Sequence, residues 1–537
     1  MRCKRCHGAS DRALLQPLVR LVGMVALRRL LLAGTAVLIL AGGSPGLADT
    51  RPAATVATSE ESLLLAAAEA QADVERGDLK HAREVLEKAW KRKDFAAASP
   101  ALRRGVLLMI AGLATQDEDW PTAKAAITPA SEMAEAEAID WTLRAEVAAR
   151  SRDSQDAVLS LTRLAERFPK ALADIEDATL YQWRGRARGL PDGEAKVFAL
   201  TDALMRAGWT PKDPFVDLSM VRREYAQGLI ARDRIAEAQT NAALITDADS
   251  LIIMRADKRF DRIGGAARPE RFSPKAGSVA RLKAVEALAA GNPSLLSGHT
   301  AKATALIALN RAEEALAVAD AAVARATQEP TAFTDLNQAL PWAHNVRDTA
   351  LRWLGRNDEA IEALAIGARV PEHGQANVSQ TLNLADAQLD NGQAKAALAT
   401  VSTVRLDLMS PYGRGVGLRV QACAYALLGD NAAADKAVGA VKALGLEGKT
   451  NLSEALMCRD DLDGAAALMI ERLADPLERS AALLALQDGP PPPHPRASDL
   501  ARAKRMAALR VRPDILAVVA PIGRIETYSA EDLWPPR

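Results

Sequence analysis

Aromatic residues supply only 4% of this 537-residue chain, and cysteine occupies only four positions, Cys3, Cys6, Cys423 and Cys458. So few cysteines exclude a small scaffold built on disulfides. With 49% apolar residues but few rings, the core has to be made mainly of Ala and Leu. That is the composition of closely packed helices, because Ala has the best helix propensity and lets helix axes approach. None of the signatures S-x-x-K, G-x-x-x-x-G-K-[ST], G-x-G-x-x-G or H-E-x-x-H occurs, so no catalytic, cofactor or metal residues are assigned. His81, His299, His344, His373 and His494 stand singly and read as surface residues.

The longest apolar run, Leu30 to Gly43, falls short of the roughly 20 residues that span a bilayer. It follows Arg28-Arg29 and precedes Gly46-Leu47-Ala48, the plan of a secretory signal peptide cut after Ala48. Residues 1–48 are therefore read as leader, export to the periplasm is expected, and no stable transmembrane anchor is expected. A signal beginning at Met24 is complete without residues 1–23. Cys3-Lys4-Arg5-Cys6-His7 matches the C-x-x-C-H spacing of covalent haem attachment, but it lies upstream of the cut, so no haem is expected in the exported chain.

The whole chain balances 68 Lys and Arg against 68 Asp and Glu; the leader takes seven bases and one acid, leaving 61 against 67, a net of −6. A mildly acidic exported chain gives no reason to expect nucleic acid. Its two remaining cysteines, Cys423 and Cys458, fall in the first helices of adjacent repeats. Two buried free thiols are the favoured reading, and a disulfide is sterically open.

What the chain has in abundance is a repeated unit. In Gly77 to Trp90, Leu79, Ala82, Leu86 and Ala89 share one helical face, with Gly77-Asp78 ending the helix before it and capping the next. A turn residue followed five positions later by Ala recurs at Gly77, Asn310, Gly355, Gly392, Gly429 and Asp460, and Gly355, Gly392 and Gly429 are spaced 37 apart. Twelve residues before most of those alanines stands another small residue, as Ala70 before Ala82 and Ala385 before Ala397. Small residues at both places let paired helices cross closely.

This pattern resembles the tetratricopeptide repeats, and Pro169, twelve residues after Ala157, stands where that family closes a second helix. The resemblance implies an all-α fold, an alpha-alpha superhelix of helix-turn-helix repeats. It departs from the family in its 37-residue period, in Asp348 where a small partner of Ala360 belongs, and in its missing aromatic signature residues. The family's carboxylate clamp is not carried over, because Ser379, Leu382 and Asp386 stand where basic and amide residues would be required.

Composition places the divisions at 60–263 for an N-terminal helical array, 264–277 for a Gly- and Pro-rich linker, and 278–487 for a C-terminal array. A Pro-rich spacer at 488–497 and a C-terminal helix with a capping tail at 498–537 follow. Tyr181, Arg184 and Arg188 form the strongest binding stripe, able to hold a carboxylate or acidic peptide, although a solvated face with Trp183 in the core is favoured. Trp342, Asn345 and Arg352 would line the inner surface of a first helix.

A stack of repeats presents a long curved surface, so the leading expectation is a non-enzymatic scaffold that binds a protein or peptide on its concave face. The alternatives are a self-associating envelope protein and an enzyme of unrecognised type. Acid-base chemistry in the tail would rest on Asp514, Glu526, Tyr528, Glu531 or Asp532.

Overall fold

The computed structural model describes residues 59–371 and 376–532; the leader, its cleavage site, the C-x-x-C-H motif and His373 lie outside them. Within these residues the chain is all-α, broken only by short 3-10 turns and two isolated β-bridges. It divides into two compact units between Thr210 and Pro211.

The first unit contains four helix pairs: α1 (Ser59–Arg76) with α2 (Leu79–Trp90), α3 (Pro100–Gln116) with α4 (Trp120–Glu132), α5 (Ala138–Arg150) with α6 (Ser154–Arg167), and α7 (Asp177–Ala187) with α8 (Gly193–Arg206). The second unit begins with α9 (Ser219–Ala231), α10 (Ile235–Ala242), α11 (Ala248–Ala256) and α12 (Pro274–Gly291). Regular pairs follow: α13 (Leu296–Ala308) with α14 (Ala312–Gln328), α15 (Leu336–Trp353) with α16 (Asn357–Arg369), α17 (Val378–Asp390) with α18 (Ala394–Ser402), α19 (Pro411–Leu427) with α20 (Asn431–Lys442), and α21 (Lys449–Cys458) with α22 (Leu462–Ala474). Then come α23 (Arg479–Leu486), α24 (Ala497–Arg510) and α25 (Pro513–Ile522).

One local device makes nine of these pairs. A left-handed residue ends the first helix at Gly77, Glu118, Arg152, Asp233, Asn310, Gly355, Gly392, Gly429 and Asp460, with φ between 56° and 84°. At Gly77 the turn closes with backbone N–H groups of Gly77 and Asp78 donating to the carbonyls of Val74 and Asp73, while the Asp78 side chain accepts from the His81 N–H at 3.1 Å. Five residues on, the alanine at the crossing is no more than 2% exposed in all nine pairs. Glu118, Arg152 and Asp233 take the turn position without glycine's freedom, so a search for Gly and Asn overlooks them.

The Gly- and Pro-rich segment at 264–277 lies within the second unit, away from the division at Thr210 and Pro211. It folds as short 3-10 turns leading into the first turn of α12 inside the second unit, anchored by Phe260, Ile263 and Phe272, each at most 4% exposed. A Cβ on Gly277 would meet the Thr246 carbonyl at 2.7 Å, so this glycine serves close packing. The division falls beside Pro211-Lys212-Asp213-Pro214.

The end of the second unit packs back on its beginning. Ile515 and Val519 of α25 are buried with Leu473, Leu483 and Leu486. Beyond them, Arg524 donates to both oxygens of Asp261, at 3.0 and 2.6 Å, and its backbone N–H donates to the Ala256 carbonyl at 2.8 Å. Cys423 and Cys458 are joined in a disulfide linking α19 to α21, which replaces the favoured expectation of two free thiols.

Candidate partner-binding surface

Arg184 lies on the inner side of α7, 5% exposed, and donates from Nε to Thr201 Oγ1 of α8 at 2.9 Å. Trp183 is in the core at 3% exposure. Tyr181 is half-buried with its ring edge-on to Trp209, centroids 5.7 Å apart, and Arg188 caps the end of α7. The stripe is thus largely engaged within its own unit.

In the second unit the structure builds a longer polar row, because each first helix lies against the next. Asn345 of α15 accepts from Asn383 Nδ2 of α17 at 2.9 Å, and both side chains are buried. Arg419 of α19 bridges Asp386 of α17 and Glu454 of α21, 3.0 Å to each. The Arg419 side chain is only 11% exposed; burial disfavours its charge, but the two carboxylates hold it firmly protonated. Arg352 pairs with the fully buried Asp348 at 3.2 Å, and Trp342 is half-buried on the same helix. Asp348 occupies the small-residue crossing position, so the departure noted in the sequence is a charge built into a helix crossing.

Helix pairs that cross at small residues, with first helix stacked on first helix, define the architecture. It is a tetratricopeptide-like array. No family model and no curated protein matches the chain. Among solved structures it is similar to the APC/C hetero-tetramer Cut9–Hcn1, with 14% identity, a TM-score of 0.29, and 95% of this chain and 94% of that one covered. It is also similar to a Rap protein complexed with competence and sporulation factor, with 11% identity, a TM-score of 0.27, and coverage of 84% and 100%. The third is Naa15/Naa10 bound to HypK-THB, with 12% identity, a TM-score of 0.26, and coverage of 85% and 79%. At these scores the likenesses add nothing to what the helix pairs of the array show by themselves.

Several features of the array escape its sequence. His81 Nδ1 of α2 lies 2.7 Å from Asp73 Oδ2 of α1, a carboxylate 3% exposed that Arg76 also binds. The His81 bond holds Asp73 below the usual carboxylate range, and the same bond raises His81 above the usual imidazole value. Glu69 completes a group whose donor atoms lie within 4.8 Å of one another, the one place among the described residues where three metal-type ligands converge. Arg76 already supplies its countercharge. His344 is not on the surface: it is 4% exposed against Gly367, and burial, helped by Arg347, pushes its pKa down to about 4. In the tail, Glu526 pairs with Arg255 at 2.9 Å and accepts from the Tyr528 hydroxyl at 2.6 Å, while Asp514 is held by Arg512 at 2.9 Å. Glu526 fastens the tail to the array, while Asp514 is held within the tail. No described helix is long and apolar enough to cross a membrane.

Proposed function

We propose that this protein is an exported, periplasmic scaffold that binds a protein or peptide along the first helices of its second unit and catalyses no reaction. The observation that carries the reading is Arg419 bridging Asp386 and Glu454 across three successive first helices, with Asn345 and Asn383 extending the row. The row ties successive first helices together at a fixed repeat spacing and so holds half-buried neighbours such as Trp342 and Arg352 on one stacked surface, the layout suited to an extended chain. Its carboxylates are matched to arginine, a side chain that stays protonated and so serves poorly as general acid or base. Export is supported by the disulfide between Cys423 and Cys458, a bond that persists in oxidising compartments, together with the leader pattern ending at Ala48.

The test is affinity capture of envelope proteins with the mature chain, beside a Trp342→Ala, Arg352→Ala variant. A partner retained by the first and lost from the second supports the reading. A mature chain that retains no envelope protein overturns it. N-terminal sequencing of the exported protein should begin at Asp49.

A further inference from the structure

The left-handed turns of the second unit carry a second occupant, and it belongs to the chain itself. The Pro-rich segment passes under the turn of α15 and α16, where a Cβ on Gly355 would meet His494 Cγ at 3.0 Å. Arg496 then reaches Asp390, at the turn of α17 and α18, at 3.1 Å; Ser498 Oγ donates to the Asp390 carbonyl at 2.6 Å, and Arg502 approaches the same carboxylate at 3.6 Å. Farther along, Arg505 meets Asp460, at the turn of α21 and α22, at 2.9 Å, and Arg512 meets Asp463 at 2.7 Å. One helix therefore spans the turns of separate repeats through arginines set on aspartates.

Up to Arg505 its attachment is ionic; only its last turn, through Met506 and Leu509, packs on the apolar cluster. Leu509 is the one buried residue of α24, and Leu500 is 54% exposed. Asp460 and Asp463 are 75% and 91% exposed, so their pairs with Arg505 and Arg512 are solvent-screened and weak singly. By contrast, α25 is anchored by Ile515 and Val519 in the core, and the residues after it by Arg524 on Asp261. The part of α24 that carries Arg496, Arg502 and Arg505 can therefore leave the turns while Leu509 and α25 keep their places in the core.

We propose that the acidic turn edge formed by Asp390, Asp460 and Asp463 is a docking surface for an arginine-bearing helix, and that α24 occupies it as a displaceable internal ligand. An external occupant is a basic helix presenting arginines at the spacing of Arg496, Arg502 and Arg505, and it takes the edge by exchanging with α24. The external half of this inference rests on the scaffold reading above. Release of α24 is measured without any partner, so the two readings fail separately.

The test uses the full mature chain and a fluorescent peptide of residues 494–512 as probe. Wild type, its edge filled, should bind the peptide at least tenfold more weakly than an Arg496→Ser, Arg502→Ser, Arg505→Ser variant. Adding Asp390→Asn and Asp460→Asn to that variant should remove the gain. Equal binding by wild type and the triple variant overturns the proposal, as does a gain that survives loss of both aspartates. A tail-exchanged dimer of the wild type overturns it as well. A second measurement needs no variant: amide exchange in 497–510 of the wild type should quicken between about 0.01 and about 1 M salt, as the screening length falls from roughly 30 to roughly 3 Å, while exchange in α19 stays unchanged. Salt-independent protection of α24 overturns the proposal.

Discussion

Gly355 turns directly beneath the ring of His494: a Cβ placed on it would lie 3.0 Å from Cγ and 3.2 Å from Cβ of the histidine. Gly392, with φ of 76° against 74° at Gly355, has nothing within 4 Å of the same position. The two glycines answer to different constraints at the same backbone angle. Gly392→Ala should cost about 1–2 kcal/mol for the left-handed conformation alone. Gly355→Ala should cost more, and the excess should vanish in a His494→Gly background, read from chemical denaturation of wild type, the three single variants and the Gly355→Ala, His494→Gly double variant.

The pair Cys423 and Cys458 should leave no free thiol in the mature protein. A thiol count under denaturing, non-reducing conditions checks this. Reduction should lower stability by about 2–4 kcal/mol, since the bond closes a loop between residues 35 apart.

Ala397 sits at 0% exposure where α18 crosses α17. Ala397→Leu should destabilise by about 1–3 kcal/mol through overpacking. Ala399→Leu, two residues on and exposed, should stay within about 0.5 kcal/mol of wild type.

Two buried titrating groups, one in each unit, should drive stability in opposite directions with pH. Burial raises Glu146 in the first unit to about 7, with Arg150 opposing. Between its unfolded value and about 7 the folded state holds the proton and the unfolded state does not, so the first unit loses roughly 3 kcal/mol as pH rises. His344 in the second unit is lowered to about 4. There the unfolded state binds the proton first, so the second unit gains a similar amount as pH rises from about 4 to its unfolded value near 6.5. Glu146→Gln should remove the first trend and leave the second, followed by amide exchange in α5 and α15 from pH 4 to 8.

Arg419→Met leaves Asp386 and Glu454 facing each other without their shared counter-ion, and should cost about 3 kcal/mol. Adding Asp386→Asn and Glu454→Gln should recover part of that loss, because the neutral amides that replace the carboxylates need no counter-ion. Thermal melting of the three chains resolves the order.

The repeat was legible in the sequence because its cause is local. A left-handed residue, a cap and an alanine five positions on are set by the backbone and by nearest neighbours along the chain, so Gly355, Gly392 and Gly429 could be read by spacing alone. The same rule at Glu118 and Arg152 was hidden, since neither side chain marks a positive φ, and Asp233 was overlooked although it is an aspartate like Asp460. At 264–277 the Gly- and Pro-rich composition goes with packing around Phe260 and Phe272, which composition alone does not reveal.

By itself, then, the sequence determined that this chain forms paired helices, where most of them turn, and which alanines they cross on, because those features depend on contacts within a few residues. Tertiary structure alone decided what the helices meet. Asn345 with Asn383, Arg419 with Asp386 and Glu454, Cys423 with Cys458, Arg496 with Asp390 and Arg505 with Asp460 join residues from 33 to 106 positions apart. No periodicity encodes such pairs: which charge lies opposite which follows from the stacking of one helix pair on the next and from where the C-terminal segment runs, and both are set by the packing of the whole unit.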